Sequence, residues 1–124
     1  MTLDSRLATV VDAARSKKAF RIRLVDVSQI ASFTDTMAFM SGGSDRQNRA
    51  IAEAIEDALK LADERPISRE GEANGNWVLL DYGNLVVHVM DEETRRHYNL
   101  EGLWSSGREL ELPAETHPDS EVRS

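Results

Sequence analysis

Asp81 and His88 have the spacing in this chain that most directly suggests chemistry. Gly83-Asn84 is a two-residue loop suited to a primed hairpin turn, because both residue types adopt positive φ at little cost. With those two as the loop, Tyr82 pairs with Leu85, Leu80 with Val87 and Val78 with Val89. That face is apolar apart from one phenol and should pack on helices. Trp77, Leu79, Asp81, Val86, His88 and Met90 share the other face, with Asp81 diagonal to His88 at a separation long side chains can bridge. A carboxylate beside an imidazole is half of a general-base arrangement. No activated Ser or Cys accompanies it, so the spacing predicts a buried hydrogen-bonded pair rather than a nucleophile's base.

Two other arrangements could carry chemistry. Gly42-Gly43-Ser44 at the start of a helix could hold a phosphate, but a nucleotidyltransferase-like site also needs two or three carboxylates for magnesium. Only Asp81 lies in a strand, and no D-x-D occurs. Asp91 and Glu93 fall where a helix begins, where carboxylates serve as cap and dipole partners. His88, His97 and His117 have no metal-ligand spacing, and the absence of cysteine removes thiol and zinc-knuckle chemistry. No metal or cofactor is expected.

Interface chemistry fits better. Arg95, Arg96, His97, Tyr98, Leu100 and Trp104 crowd a closing helix and its exit, and aromatics with arginine dominate protein interfaces. With the polar-parity face of the hairpin, the candidate partner-binding set is Trp77, Asp81, His88, Arg95, Tyr98, Leu100 and Trp104. The competing reading is that the aromatics only pack the helix onto the hairpin. If Trp77 and Tyr98 are interface, Trp77→Ala and Tyr98→Ala should both weaken partner binding and leave the thermal midpoint nearly unchanged.

The elements that position these residues follow from periodicity. Leu3, Leu7, Val10, Val11 and Ala14 recur at helical spacing and predict an N-terminal helix of about four turns. Arg21 to Val27 reads as a strand, and Phe33 to Ser41 as a second one ending at Gly42-Gly43. Ser44 and Gln47 form a capping box, followed by a stripe of Ile51, Ala54, Ile55, Ala58, Leu59 and Ala62, with Pro66 beyond the end. Ile67 to Glu70 suggests a short strand, then a Gly-rich loop, the hairpin, and a helix from about Glu92 to Asn99. From Ser105 the chain is polar, with two prolines, and predicts a mobile tail. The order predicts one α/β (α+β) domain over residues 1–104, a mixed sheet packed by helices, with a tail over 105–124.

Composition bounds the function classes. The 124 residues suit one domain. No apolar run approaches the ~20 residues needed to cross a bilayer. The first residues lack a signal-peptide core and carry acidic groups, so a cytoplasmic location is expected. A net charge of −7 disfavours direct capture of a nucleic-acid backbone and suits a basic partner, including a basic protein on a nucleic-acid particle.

Several ordered blocks carry a resemblance. Phe33-Thr34-Asp35, Gly42 to Gln47, Glu70-Gly71, Trp77 to Tyr82, Val86 to Met90 and Arg95 to Trp104 resemble the pattern of the ribosomal silencing factor (Iojap) family over roughly Lys17 to Trp104. The departures are a strand start without the usual acidic residue, Thr36 to Phe39 in place of a more aromatic and β-branched set, Met90 for Phe, and Gly102. The resemblance implies a nucleotidyltransferase-like fold without the enzymatic residues. It also implies binding to ribosomal protein fourteen of the large subunit, which blocks joining with the small subunit and lowers translation. The alternatives are a nucleotide-binding or nucleotidyltransferase-like enzyme using Ser44 and Asp81, and a homodimeric interaction module.

Overall fold

A computed structural model of the chain describes residues 3–114. In chain order the elements are α1 (Leu3–Ser16), β1 (Phe20–Asp26), β2 (Thr36–Ser41), α2 (Asp45–Lys60), β3 (Ser68–Glu70), β4 (Trp77–Asp81), β5 (Leu85–Met90), α3 (Glu92–Tyr98), α4 (Leu100–Leu103) and β6 (Arg108–Leu110). The strands form one mixed six-stranded sheet in the order β3-β4-β5-β2-β1-β6. Only β2 and β5 run parallel. They are the central strands and are buried along their whole length. Burial on both faces is why their sequences read as continuous apolar runs, whereas β4 alternates buried and half-buried residues.

The helical stripes dictate the first face of the sheet. Leu7, Val10, Val11 and Ala14 of α1 join Ile51, Ala52, Ile55 and Leu59 of α2 over Leu24, Ala38, Met40, Val78, Leu80, Val87 and Val89. Full burial of each such Leu, Ile or Val contributes about 1.5–3 kcal/mol, so this layer supplies most of the driving force. Ser44 caps α2 through its hydroxyl, which accepts from the Gln47 amide. The Gln47 side chain accepts from the Gly43 amide at 2.7 Å and donates to the Lys17 carbonyl at 3.0 Å, tying α2 to the turn after α1.

The hairpin register is the one the turn residues predict: Leu80 pairs with Val87 and Val78 with Val89. Gly83 has φ +86° and Asn84 is not in the left-handed region, the pattern of a II′ turn. Its second face carries a smaller core. Val25, Val27, Met37, Phe39 and Met90 are buried there, with Ala31, Trp77, Leu100 and Trp104 packed against them.

Three expectations change. The run predicted as a strand from Phe33 begins only at Thr36, because Val27 bonds to Asp35 and the intervening residues fold into a turn on Val27. Phe33 is therefore 58% exposed. The closing helix breaks at Asn99, which adopts φ 45° and ψ 51° and caps both α3 and α4. The polar segment after Trp104 is not mobile throughout, since Arg108–Leu110 adds an antiparallel edge strand to β1. Its charged side chains are what hid it: Arg108 bonds Asp26 at 3.2 Å, and Glu109 pairs with Arg23. The rest of the predicted tail, from residue 115, lies outside the described residues. Among the described residues no helix is long and apolar enough to cross a membrane.

Candidate functional site

The second face of the sheet ends in a band of aromatic and aliphatic side chains. Trp77 enters from β4 and meets Tyr98 of α3, with ring centroids 5.0 Å apart. Trp104 meets Phe33 edge-on at 5.6 Å, and Leu100 of α4 packs on the same core as Trp77 and Trp104. Tyr98 is 56% exposed, Phe33 58% and Leu103 70%. Phe33 and Leu103 were not on the sequence-derived list. Their signal was the FTD and Leu-Glu-Gly-Leu-Trp blocks, where a large apolar residue adjoins polar ones without periodicity to assign it inward.

Asp81 and His88 do not pair. The Asp81 carboxylate accepts from the Gly83 amide at 2.8 Å and so closes its own turn. His88 is 3% exposed. Its ring stacks on Phe39 at 5.2 Å, and its Nδ1 accepts from the Trp77 indole at 3.1 Å. Indole nitrogen only donates, so the His88 proton sits on Nε2, which has no hydrogen-bond partner. Burial pushes the imidazole down to about 4, keeping the acceptor available.

Arg95 is 2% exposed and so is not a surface contact. Its guanidinium clasps Glu101 at 2.6 and 3.0 Å and donates to the Ser41 hydroxyl at 2.8 Å. Glu101 also receives Arg23 at 2.7 Å. Together these bonds pin α3 and α4 to the end of β2 and the middle of β1. Arg95 and Glu101, the first and last polar members of the Arg-x-x-Tyr-x-Leu-Glu block, therefore hold Tyr98, Leu100 and Trp104 in place rather than touch a partner.

The enzymatic alternative finds no geometry. Asp81 pairs with Val86 and Val86 with Met37, near the start of β2. Ser44 follows the end of that strand with its hydroxyl committed to Gln47, and the rise from Met37 to Ser41 alone is about 13 Å. Among the described residues no group of three or more histidines and carboxylates could hold a metal.

Trp77 and Tyr98 separate on burial, so the expectation that they behave alike is revised. Trp77 is half-buried, bonded to His88 and packed on Met90 and Phe39's cluster. Trp77→Ala should lower stability by about 2–3 kcal/mol in urea unfolding, while Tyr98→Ala should cost under about 1 kcal/mol. Equal losses would put Tyr98 in the core.

The mixed sheet holds Ser44, exposed, and Asp81, half-buried, apart with their side chains committed to local turns, while Tyr98, Phe33 and Leu103 present large side chains to solvent, an arrangement suited to a binding module. Comparison with known proteins gives the family. The model described as "Ribosomal silencing factor during starvation" matches residues 1–124. Ribosomal silencing factor RsfS of Bacillus subtilis is 38% identical over 107 residues, 84% of this chain and 88% of that protein. That of Zymomonas mobilis is 35% identical over 107 residues, 86% of this chain and 80% of that protein. A crystal structure from Chromobacterium violaceum superposes with a TM-score of 0.82 at 30% identity, covering 100% of both chains. The chain belongs to the ribosomal silencing factor family, whose members are ribosome-associated regulators rather than enzymes.

Proposed function

We propose that this chain is a translational repressor that binds ribosomal protein fourteen on the free large subunit and sterically blocks joining with the small subunit. The observation that carries the proposal is the set of exposed large side chains Phe33, Tyr98 and Leu103, with Tyr98 seated on half-buried Trp77 and Phe33 on half-buried Trp104 over the second core. Exposed aromatic and aliphatic side chains backed by a packed core are the residue types that mark a partner site. The net charge of −7 favours a basic ribosomal protein over exposed RNA. A mouse relative, 29% identical over 117 residues, is named for assembly of the mitochondrial large ribosomal subunit, in keeping with a large-subunit partner.

The test is co-sedimentation of the purified chain with large subunits, small subunits and preformed joined ribosomes. Binding to free large subunits alone, with fewer joined particles when small subunits are added, is the expected result. Tyr98→Ala should weaken that binding by about tenfold or more, the range of a truncated interface aromatic. Absence of binding to any particle would overturn the proposal.

A further inference from the structure

Glu70-Gly71 is one of the blocks that mark the family, yet nothing described so far uses its carboxylate. Glu70 pairs with Leu79, and Leu79 with His88, so all three project from the same face of the sheet, next to Trp77. Glu70, Leu79, Trp77 and Tyr98 bound a cavity of about 400 Å³, whose rim is completed by Asn74 and Asn76. Its walls are the indole of Trp77, the phenol of Tyr98 and the Leu79 side chain. No lysine or arginine lines it. Glu70 is exposed and forms no hydrogen bond or ion pair among the described residues. It is unlike Glu56, Glu64, Glu92, Glu101 and Glu109, each of which holds an arginine.

The Trp77 ring has one polar atom, and His88 has taken it: the Nε1–H points inward at 3.1 Å from Nδ1. The indole therefore offers the cavity carbon surface only, with no donor left to satisfy an acceptor. Two aromatic rings tilted at 49° beside an unpaired carboxylate are complementary to a cation on an alkyl stem. An anion would meet Glu70, and a neutral apolar group would leave that carboxylate desolvated without a partner.

We infer that the cavity between Glu70, Leu79, Trp77 and Tyr98 receives a lysine or arginine side chain of the partner protein, the stem lying on Leu79 and the cationic head between the indole and the Glu70 carboxylate. The assignment rests on the proposed function only for the identity of the partner. Charge complementarity commits it to a basic protein. It gives Glu70 a role in recognition, and His88 a positioning role exerted through Trp77.

Two measurements test this separately. In the first, ¹⁵N-labelled chain is titrated with N-acetyl-lysine-methylamide and with its norleucine analogue, following the Trp77 indole N–H resonance. The lysine compound should shift it, the norleucine compound should not, and Glu70→Gln should abolish the difference. Equal shifts from both compounds, or a lysine shift that survives Glu70→Gln, would overturn the inference. In the second, large-subunit binding is measured against salt for the wild type, Glu70→Gln, Tyr98→Phe and Tyr98→Leu. Glu70→Gln should bind on the order of tenfold more weakly and with less salt dependence. Tyr98→Phe should retain affinity and Tyr98→Leu lose it, because the ring face rather than the hydroxyl is the contact. Glu70→Gln binding like the wild type, with an unchanged thermal midpoint, would overturn the partner's use of the cavity. If the wild type bound no particle while the titration still discriminated, the cation site would stand and the ribosomal reading would fall.

Discussion

Replacing Arg95 with methionine is expected to lower the thermal midpoint by about 10 °C or more. The side chain is 2% exposed and its partner Glu101 12%. Removing the guanidinium leaves the Glu101 carboxylate with Arg23 alone and the Ser41 hydroxyl without its donor. Removing one partner of a buried pair typically costs about 3–5 kcal/mol, and each kcal/mol moves the midpoint of a domain this size by about 3–6 °C. The pair also gives stability a pH dependence with a definite sign. The hydrogen bonds from Arg95 hold the Glu101 carboxyl at about 2, below its ordinary 4.5. Its contribution is therefore fully present above about pH 4.5 and is lost as pH falls through about 2. Urea unfolding at intervals from pH 7 to 2 should show that loss in the wild type and a flatter profile in Arg95→Met. A midpoint within 2 °C of the wild type would mean that the clasp is dispensable. The double substitution Arg95→Met with Glu101→Leu should recover much of the loss, because the desolvated charge is then gone as well.

The clasp also explains why the fold was more legible in the sequence than the site. Helical stripes, the Ser44 cap and the Gly83-Asn84 turn are local signals, and the elements they predict fall within a few residues of the observed ones. The hairpin parity predicted the register residue for residue. Parity tells which face a side chain takes, not whether that face is later covered. The face carrying Trp77 and His88 receives α3 and α4, and Arg95 bridges elements far apart in the chain. His88 and Arg95 therefore look like interface residues by type, and the fold buries them. Phe33 and Leu103 carry no periodic signature because they lie in a turn and in a four-residue helix. β6 escaped because its three residues are held by charged pairs at a sheet edge, where composition imitates a solvated tail.

Gly71→Ala is expected to cost about 3 kcal/mol or more, and to reduce partner binding further than the stability loss explains. Gly71 has φ +85°, where a β-carbon adds about 1–2 kcal/mol of strain. The added carbon would also lie 1.8 Å from the Trp77 carbonyl oxygen and 2.9 Å from its carbonyl carbon, both backbone atoms that no rotamer change can move aside. Relief requires the loop to shift against β4 at the residue whose indole is bonded to His88. The same displacement would open the cavity between Glu70 and Trp77, since Gly71 is the link between the carboxylate's strand and that loop. Well below its midpoint the variant remains mostly folded, so a binding defect measured there reports the geometry of Trp77 rather than unfolding. The neighbouring substitution Glu72→Ala is the control: it removes one exposed ion pair with Arg69 at 3.3 Å and should change stability by less than about 0.5 kcal/mol. If Gly71→Ala matched Glu72→Ala in both unfolding and large-subunit binding, the backbone would have room that the close approach to Trp77 denies. The Glu-Gly block would then owe nothing to the seating of the indole.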